Sequence, residues 1–330
     1  LRYREQICAT NPCGEVPLPP YGACNLGSLN LTRFVREPFS PQAHLDLVAL
    51  RDAVAVAVRL LDNVIDVSRF PLAEQAEQAR GSRRIGLGMT GLADALIMLG
   101  LHYASAQARG LASQVMRTIC HAAYRASTDL AGEKGSFPFF DAAACVQRPF
   151  IQRLPEDIRA GIRQKGLRNS HLTAIAPTGT ISQLANNVSS GIEPGFNFEH
   201  RRRVRGSDGA DAWYELRDYA LRLWRRDFGD KPLPDCFVAA HQLQPQDHLT
   251  MQAAVQPFVD NAISKTINVP QDCDLAEFRA IYTRAYQLGL KGCTTFRPNP
   301  VSGIVLQKSG GERTGSAAGS HCCGPDREND

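Results

Sequence analysis

Apolar residues recur at helical spacing in several stretches of the chain. Val54, Val58, Leu61 and Ile65 lie four, three and four residues apart, which sets them on one face of a helix. Ser40 followed by Pro41 offers an N-cap and a first helical residue, so this helix is expected from there to about residue 66, with Pro71 closing the region. A second helical segment is expected after the Gly-rich stretch 84–91, ending near Gly100, and a third over residues 106–130. Residues 132–149 read as a loop packed down by Phe137, Phe139 and Phe140. Residues 213–228 read as an arginine-rich helix and residues 247–259 as another. Asp274 with Glu277 forms a capping-box pattern. The helix it opens is expected to turn Leu275, Phe278, Tyr282, Ala285 and Leu288 inward and to stop at Gly289.

Extended segments are few and short. Residues 172–176 enter the turn Pro177-Thr178-Gly179-Thr180, helical residues follow, and Gly191-Ile192-Glu193-Pro194 breaks the chain again. Residues 291–297 read as a short strand, and residues 16–32 as loop punctuated by Pro17, Pro19, Pro20, Gly22 and Gly27. The order predicts an α/β architecture with functional loops at strand ends. A barrel or layered fold with long helices suits it better than a sandwich.

Composition narrows the class. Hydrophobic residues make up 43% and charged residues 21% of the 330, so a folded core is expected and global disorder is not. A net charge of +4 from 37 basic and 33 acidic residues does not suggest a DNA or RNA polymer as partner. No apolar run approaches the roughly 18 residues of a membrane span. The ten cysteines are spread without a repeated CxxC pair, and none of the eight histidines has ligand spacing. Neither a disulfide scaffold nor a metal site is therefore expected. A cytoplasmic location is expected. The opening Leu1-Arg2-Tyr3-Arg4 has no initiator Met and no signal pattern, which reads as the later part of a larger or split protein. Residues 309–330 are rich in Gly, Ser, Ala and charge and are expected to form a flexible tail carrying the vicinal Cys322 and Cys323.

The densest chemistry is Asn11-Pro12-Cys13-Gly14-Glu15. Pro12 and Gly14 fix a tight loop around the Cys13 thiol. One reading is a surface turn with a spectator cysteine. The other is a loop projecting Asn11, Cys13 and Glu15 toward one small ligand. In Thr178-Gly179-Thr180, Gly179 permits close approach of a ligand to the backbone, and the unpaired amides of the following helix suit an anion. The turn lacks the GKT or GKS ending of an ATPase P-loop. Arg201, Arg202, Arg203 and Arg205 read as a solvated basic face, with a phosphate or partner contact as the alternative.

The stretch 11–15 resembles the finger loop of ribonucleotide reductase large chains, and further blocks follow in that family's order. Tyr21-Gly22-Ala23-Cys24-Asn25-Leu26-Gly27-Ser28 is similar to its second redox-cysteine strand, and residues 83–92 to a helix start. Ala176-Pro177-Thr178-Gly179-Thr180-Ile181-Ser182 with Ser190-Gly191-Ile192-Glu193-Pro194 resembles its substrate-phosphate region. Residues 263–270 and 292–299 resemble its late barrel segments, with Phe296 where relatives often carry Tyr. The wording is nearest to the adenosylcobalamin-dependent class.

That resemblance implies a ten-stranded α/β barrel, of which residues 1–308 would be the second half-barrel, with finger loop 9–20 and phosphate region 176–194. It implies radical reduction of ribonucleotides by a ribonucleoside-diphosphate reductase with adenosylcobalamin as cofactor. Cys13 would be the thiyl residue, Glu15 the acceptor of the 3'-hydroxyl proton, and Asn11 a hydrogen-bond partner of substrate or Glu15. Cys24 would supply reducing equivalents with a cysteine of the first half-barrel, rather than with Cys8. Pro177, Thr178, Gly179, Thr180, Ile181 and Ser182 would hold substrate phosphates, and Cys322 and Cys323 would shuttle electrons from a thioredoxin-like or other thiol reductant. The first half-barrel would be a partner chain or segment. Cys120, Cys145, Cys236, Cys273 and Cys293 are expected to serve as small core residues. His171 is expected to make a structural hydrogen bond. The rival reading is an inactive half-barrel that binds nucleotide or a partner. A nucleophilic Cys13 is a third reading, with no histidine beside it in sequence to raise its thiolate fraction.

Overall fold

The computed structural model describes residues 1–205, 211–297 and 306–308 of the chain. It opens with a hairpin, β1 (Ala9–Thr10) antiparallel to β2 (Pro17–Leu18), followed by β3 (Asn25–Asn30) and the antiparallel pair β4 (Val35–Arg36) and β5 (His44–Leu45). Helices α1 (Leu47–Val67) and α2 (Ala73–Ser82) lead to β6 (Ile85–Thr90), α3 (Leu92–Met98) and α4 (Ala106–Lys134). Then come α5 (Ala142–Val146), α6 (Pro149–Gln152), α7 (Glu156–Lys165) and α8 (Gly179–Leu184). The hairpin β7 (Glu199–Arg205) and β8 (Asp211–Arg217) precedes α9 (Tyr219–Phe228) and α10 (Pro245–Val255). The remaining elements are β9 (Thr266–Asn268), α11 (Leu275–Gln287), β10 (Thr294–Phe296) and β11 (Leu306–Lys308), which pairs with β7. The expected tail, with Cys322 and Cys323, lies outside the described residues. No helix among the described residues is long and apolar enough to cross a membrane.

Parallel extended segments lie side by side at the centre. β3 pairs with β6 in the register Asn25↔Ile85 to Asn30↔Thr90. Residues 172–176 continue the series: Leu87 N–H donates to Leu172 O at 2.8 Å, and Ala174 N–H to Leu87 O at 3.2 Å. Residues 261–264 come next, with Asn261 N–H donating to Thr173 O (3.0 Å) and Ser264 N–H to Ile175 O (2.8 Å). That segment runs on into β9, which pairs parallel with β10. The mixed α/β class expected from the order of elements is the one observed.

The helices pack as their apolar faces require. Leu50, Val54, Val58, Leu61 and Ile65 of α1 are all buried, and α1 packs on α4. The start of α1 differs from expectation. Ser40 Oγ accepts from Gln42 N–H in a turn, residues 44–45 join the β4–β5 pair, and Asp46 caps the helix by accepting from Ala49 N–H at 2.9 Å. On α11, Leu275 and Tyr282 point outward, 72% and 42% exposed, while Ile281 and Ala285 are buried against Leu249, Ile267 and Val269. The inward stripe is therefore 278, 281, 285 and 288. Residues 213–217 are strand, not helix, because they complete the β7–β8 ladder. Phe137 is buried and meets Phe140 edge-on, as the loop reading expected, although α4 extends to Lys134 and α5 interrupts the loop.

The Gly-rich stretch 84–91 is not a helix start. It is the buried strand β6, and its glycines serve close strand packing. A Cβ on Gly88 would stand 2.2 Å from Ala174 O, a backbone atom that cannot swing aside. Gly88→Ala is expected to lower stability by about 1–3 kcal/mol. Gly110→Ala, at an α4 position with nothing within 4 Å of the new Cβ, is expected to gain about 0.5–1 kcal/mol. Urea unfolding of both variants checks the opposite signs.

Candidate active site

The β1–β2 hairpin presents residues 11–16 as a compact loop. Asn11 N–H donates to Val16 O (3.2 Å), Gly14 N–H donates to Asn11 O (3.0 Å), and Val16 N–H donates to Asn11 Oδ1 (2.9 Å). Gly14 takes φ +81°, the left-handed conformation that the turn needs. The Asn11 side-chain oxygen is thus spent on closing its own loop, a role the sequence reading did not assign. Cys13 is half-buried. Glu15 is 2% exposed, and its Oε2 has no hydrogen-bond partner among the described residues. An unsatisfied buried carboxylate oxygen is costly and suits a site where a substrate hydroxyl completes the hydrogen bonding. The Glu15 carbonyl is anchored by Ala262 N–H at 2.8 Å.

Cys24 lies just before β3. Burial pushes its thiol up to about 12, against an opposing pull from Arg84. It is therefore a protonated thiol near neutral pH, able to give hydrogen. Cys8 is exposed on the approach to the hairpin. Cys120, Cys145, Cys236 and Cys273 are buried as expected, and Cys293 is half-buried.

Residues 177–180 form a turn that leads into α8 at Gly179. Thr178, not Gly179, takes the left-handed conformation, with φ +56°. Its hydroxyl shares a 2.8 Å hydrogen bond with Thr90 Oγ1 and accepts from Gly191 N–H at 2.7 Å. Ser182 Oγ lies 3.1 Å from Ser190 Oγ. These hydroxyls join the turn to residues 189–191. Pro177 is half-buried, while Gly179, Thr180 and Ile181 are exposed at the first turn of α8. A Cβ at Gly179 would meet nothing within 4 Å.

Two buried clusters that sequence reasoning did not single out hold this region. Lys265 Nζ reaches Glu193 Oε2 and His248 Nδ1 (2.8 Å), and Thr266 N–H donates to Glu193 Oε1 (2.6 Å). Burial and the adjacent Lys265 push His248 down to about 3, so its ring stays neutral and Nδ1 accepts. The cluster pins the 189–193 break to β9. His171 hydrogen-bonds Ser170 Oγ at 3.1 Å, the structural role expected of it.

The second cluster is a carboxyl pair. Asp94 accepts from Ser189 N–H (2.5 Å) and Ala220 N–H (2.7 Å), and Asp218 accepts from Leu221 N–H (3.2 Å). The two carboxyls hydrogen-bond each other. Burial, then the charge of Asp94, raises Asp218 well above the usual carboxylate range, so Asp218 keeps its proton and donates it to Asp94. The unfolded chain releases that proton near the ordinary carboxyl range, whereas the fold retains it. Stability from the pair is full at low pH and declines as pH rises toward the folded value. Asp218→Asn keeps the donor and the capping acceptor without a titrating proton. It is expected to exceed the parent in stability by about 1 kcal/mol or more at pH 8, with the margin closing toward pH 4. Urea midpoints at both pH values test this, and a margin independent of pH would contradict a shared proton.

Comparison with known proteins shows the family. The family description "Ribonucleotide reductase, barrel domain" matches residues 2–296. The chain belongs to the ribonucleotide reductase family. It is 40% identical over 323 residues to a vitamin B12-dependent ribonucleoside-diphosphate reductase of Mycobacterium tuberculosis (strain CDC 1551 / Oshkosh), covering 93% of this chain and 44% of that protein. It is 37% identical over 317 residues to one of the same description from Thermoplasma acidophilum, covering 91% of this chain and 39% of the relative. A ribonucleoside-diphosphate reductase subunit alpha of Chlamydia muridarum is 29% identical over 349 residues, covering 92% and 32%. The chain spans less than half the length of these curated relatives.

Proposed function

We propose that the chain supplies the thiol-bearing part of an adenosylcobalamin-dependent reductase that converts ribonucleoside diphosphates to 2'-deoxyribonucleotides. The observation that carries this is the loop 11–16, which sets the half-buried Cys13 thiol two residues from a buried Glu15 carboxylate with an unsatisfied oxygen. The names of the Mycobacterium and Thermoplasma relatives support the cofactor and the diphosphate substrate. Residues 1–308 are read as the second half-barrel, built on the parallel series from β3 to β10, with finger loop 9–20, phosphate region 176–194 and tail 309–330. The first half-barrel and a thioredoxin-like or other thiol reductant are the proposed partners.

Adenosylcobalamin, when bound, supplies the radical that takes the hydrogen atom from a thiol. Cys13 fits that demand, since it sits in a loop and is not enclosed by the core. The Cys13 thiyl removes hydrogen from the 3' carbon and later returns it. Glu15 takes the 3'-hydroxyl proton, and the 2'-hydroxyl leaves as water. Cys24 and a cysteine of the first half-barrel give two electrons and two protons and become a disulfide. The balance is ribonucleotide plus two thiols to deoxyribonucleotide, disulfide and water.

The test is incubation of the chain with adenosylcobalamin, a dithiol and a ribonucleoside diphosphate, alone and with the N-terminal segment of a longer relative. Deoxynucleotide formed only with both supports the reading. No product in either arm, with nucleotide still bound, points to a binding module. For the phosphate turn, Gly179→Val adds bulk in open space at a position without positive φ. It is expected to weaken nucleotide binding at least tenfold, about 1.4 kcal/mol, with stability unchanged. Thr178 occupies the cap position, so Thr180→Ala is expected to leave stability alone. Unchanged nucleotide affinity in both variants would remove the phosphate assignment.

A further inference from the structure

Arg84 stands immediately before β6 with its side chain 2% exposed, and its contacts lie far from it in sequence. Its NH2 pairs with Glu5 Oε2 at 2.7 Å. Its NH1 donates to the Pro17 carbonyl at 3.2 Å and to Asn261 Oδ1 at 3.3 Å. Glu5 is itself enclosed, with its other oxygen accepting from Gln78 Nε2. Asn261 Nδ2 in turn donates to Ile85 O (3.3 Å) and Thr173 O (3.0 Å), on the two neighbouring parallel segments. The next residue, Ala262, holds the Glu15 carbonyl.

The return strand of the Cys13 loop is therefore gripped at two carbonyls, Glu15 by a strand amide and Pro17 by a buried guanidinium. The β1–β2 hairpin has only two residues in each strand, too few to hold a loop in place by themselves. A charged donor makes a stronger bond to a carbonyl than a neutral one. Two separate nitrogens of the planar arginine fork serve these three acceptors, whereas lysine has a single nitrogen on a compact charge. Arg84 is also the cation whose charge favours ionisation of Cys24.

We propose that Arg84 is a positioning residue for the reductase thiols, tying the loop of Cys13 and Glu15 to the parallel segments that carry Cys24. The proposal rests on the thiol roles assigned above, but its test needs no turnover. Arg84→Met is made together with Glu5→Gln, so that no carboxylate stays buried without its cation, and Glu5→Gln alone is the control. Arg84→Lys is the conservative variant. Two quantities are read: amide hydrogen exchange at Val16 and Ala262 with α4 as internal reference, and the iodoacetamide rate of Cys24 at pH 9 by peptide mass spectrometry.

In the Met variant, exchange at Val16 and Ala262 should rise at least tenfold while α4 keeps its protection, and Cys24 should alkylate several-fold more slowly than in the control. Arg84→Lys should restore the Cys24 rate and leave Val16 unprotected. A residue that merely fills space behaves oppositely, because its loss opens Cys24 to the reagent and speeds alkylation in both variants. Faster Cys24 alkylation, parent-like exchange at Val16 and Ala262, or loss of α4 protection in step with theirs would each overturn the proposal. Failure of the reductase assay with these results intact would count against the radical reading alone.

Discussion

Replacing Cys13 with serine should reduce release of hydrogen from the 3' carbon to background in the assembled enzyme, while nucleotide affinity stays within about twofold. Serine is close in size to cysteine, and the loop bonds among Asn11, Gly14 and Val16 use backbone atoms and the Asn11 amide rather than the Cys13 side chain. The hydroxyl fails because its O–H bond is much stronger than the S–H bond, so no usable radical forms on it. Substrate labelled with tritium at the 3' position provides the measurement, and retained exchange would eliminate the thiyl assignment. Glu15→Gln separates the second role. It keeps the shape of a side chain that is 2% exposed but cannot take a proton. The rate should fall by about 10²–10⁴ without loss of binding. A variant of Glu15 with parent-like turnover would leave the unsatisfied oxygen without a catalytic purpose.

The largest expected effect on stability comes from Asp62, a wholly buried residue of α1. Its Oδ1 accepts from Arg83 Nε (2.9 Å) and Asn169 Nδ2 (3.0 Å), its Oδ2 accepts from Arg168 Nε (3.2 Å), and its carbonyl accepts from Arg83 NH2 (2.9 Å). One carboxylate thus joins α1, the end of α2, the entry to β6 and the 168–169 segment. Asp62→Ala leaves two largely buried guanidiniums without the anion they share. The expected cost is about 3–5 kcal/mol. Arg83 retains Asp66 at 2.7 Å, which places the value toward the lower end. Asp62→Asn keeps the acceptor oxygen and should cost less. Urea unfolding decides it, and a loss below about 1 kcal/mol for the alanine variant would mean that solvent screens the cluster.

The sequence by itself determined what short-range physics controls. The four-three-four spacing on α1 settled its buried face, since a helix of fixed pitch leaves those side chains no other direction. Gly289, with φ +71°, ends α11, and Asp274 caps its start by accepting from Glu277 N–H. The motif 11–15 marked the loop that holds Cys13 beside Glu15, because a proline and a glycine on either side of a thiol have a strong local preference for a turn. The motif blocks were specific enough to indicate the family.

Tertiary structure decided the rest. The Gly-rich stretch resembled a helix start, yet Gly86 and Gly88 lie in a strand where Ala174, far along the chain, passes within contact distance. Leu275 and Tyr282 fit a helical stripe, but the partner surface of α10 and β9 selected the neighbouring stripe instead. The bonds of Thr178 to Thr90 and Gly191, and of Ser182 to Ser190, are likewise set by the fold and not by the local turn pattern. Arg84 and Asn261 are 177 residues apart, and no local pattern announces their bond. The physical reason is the same in each case. Turn and helix preferences are properties of neighbouring residues, whereas a hydrogen-bond partner, a burial or a close backbone approach depends on which distant segment the packed chain brings alongside.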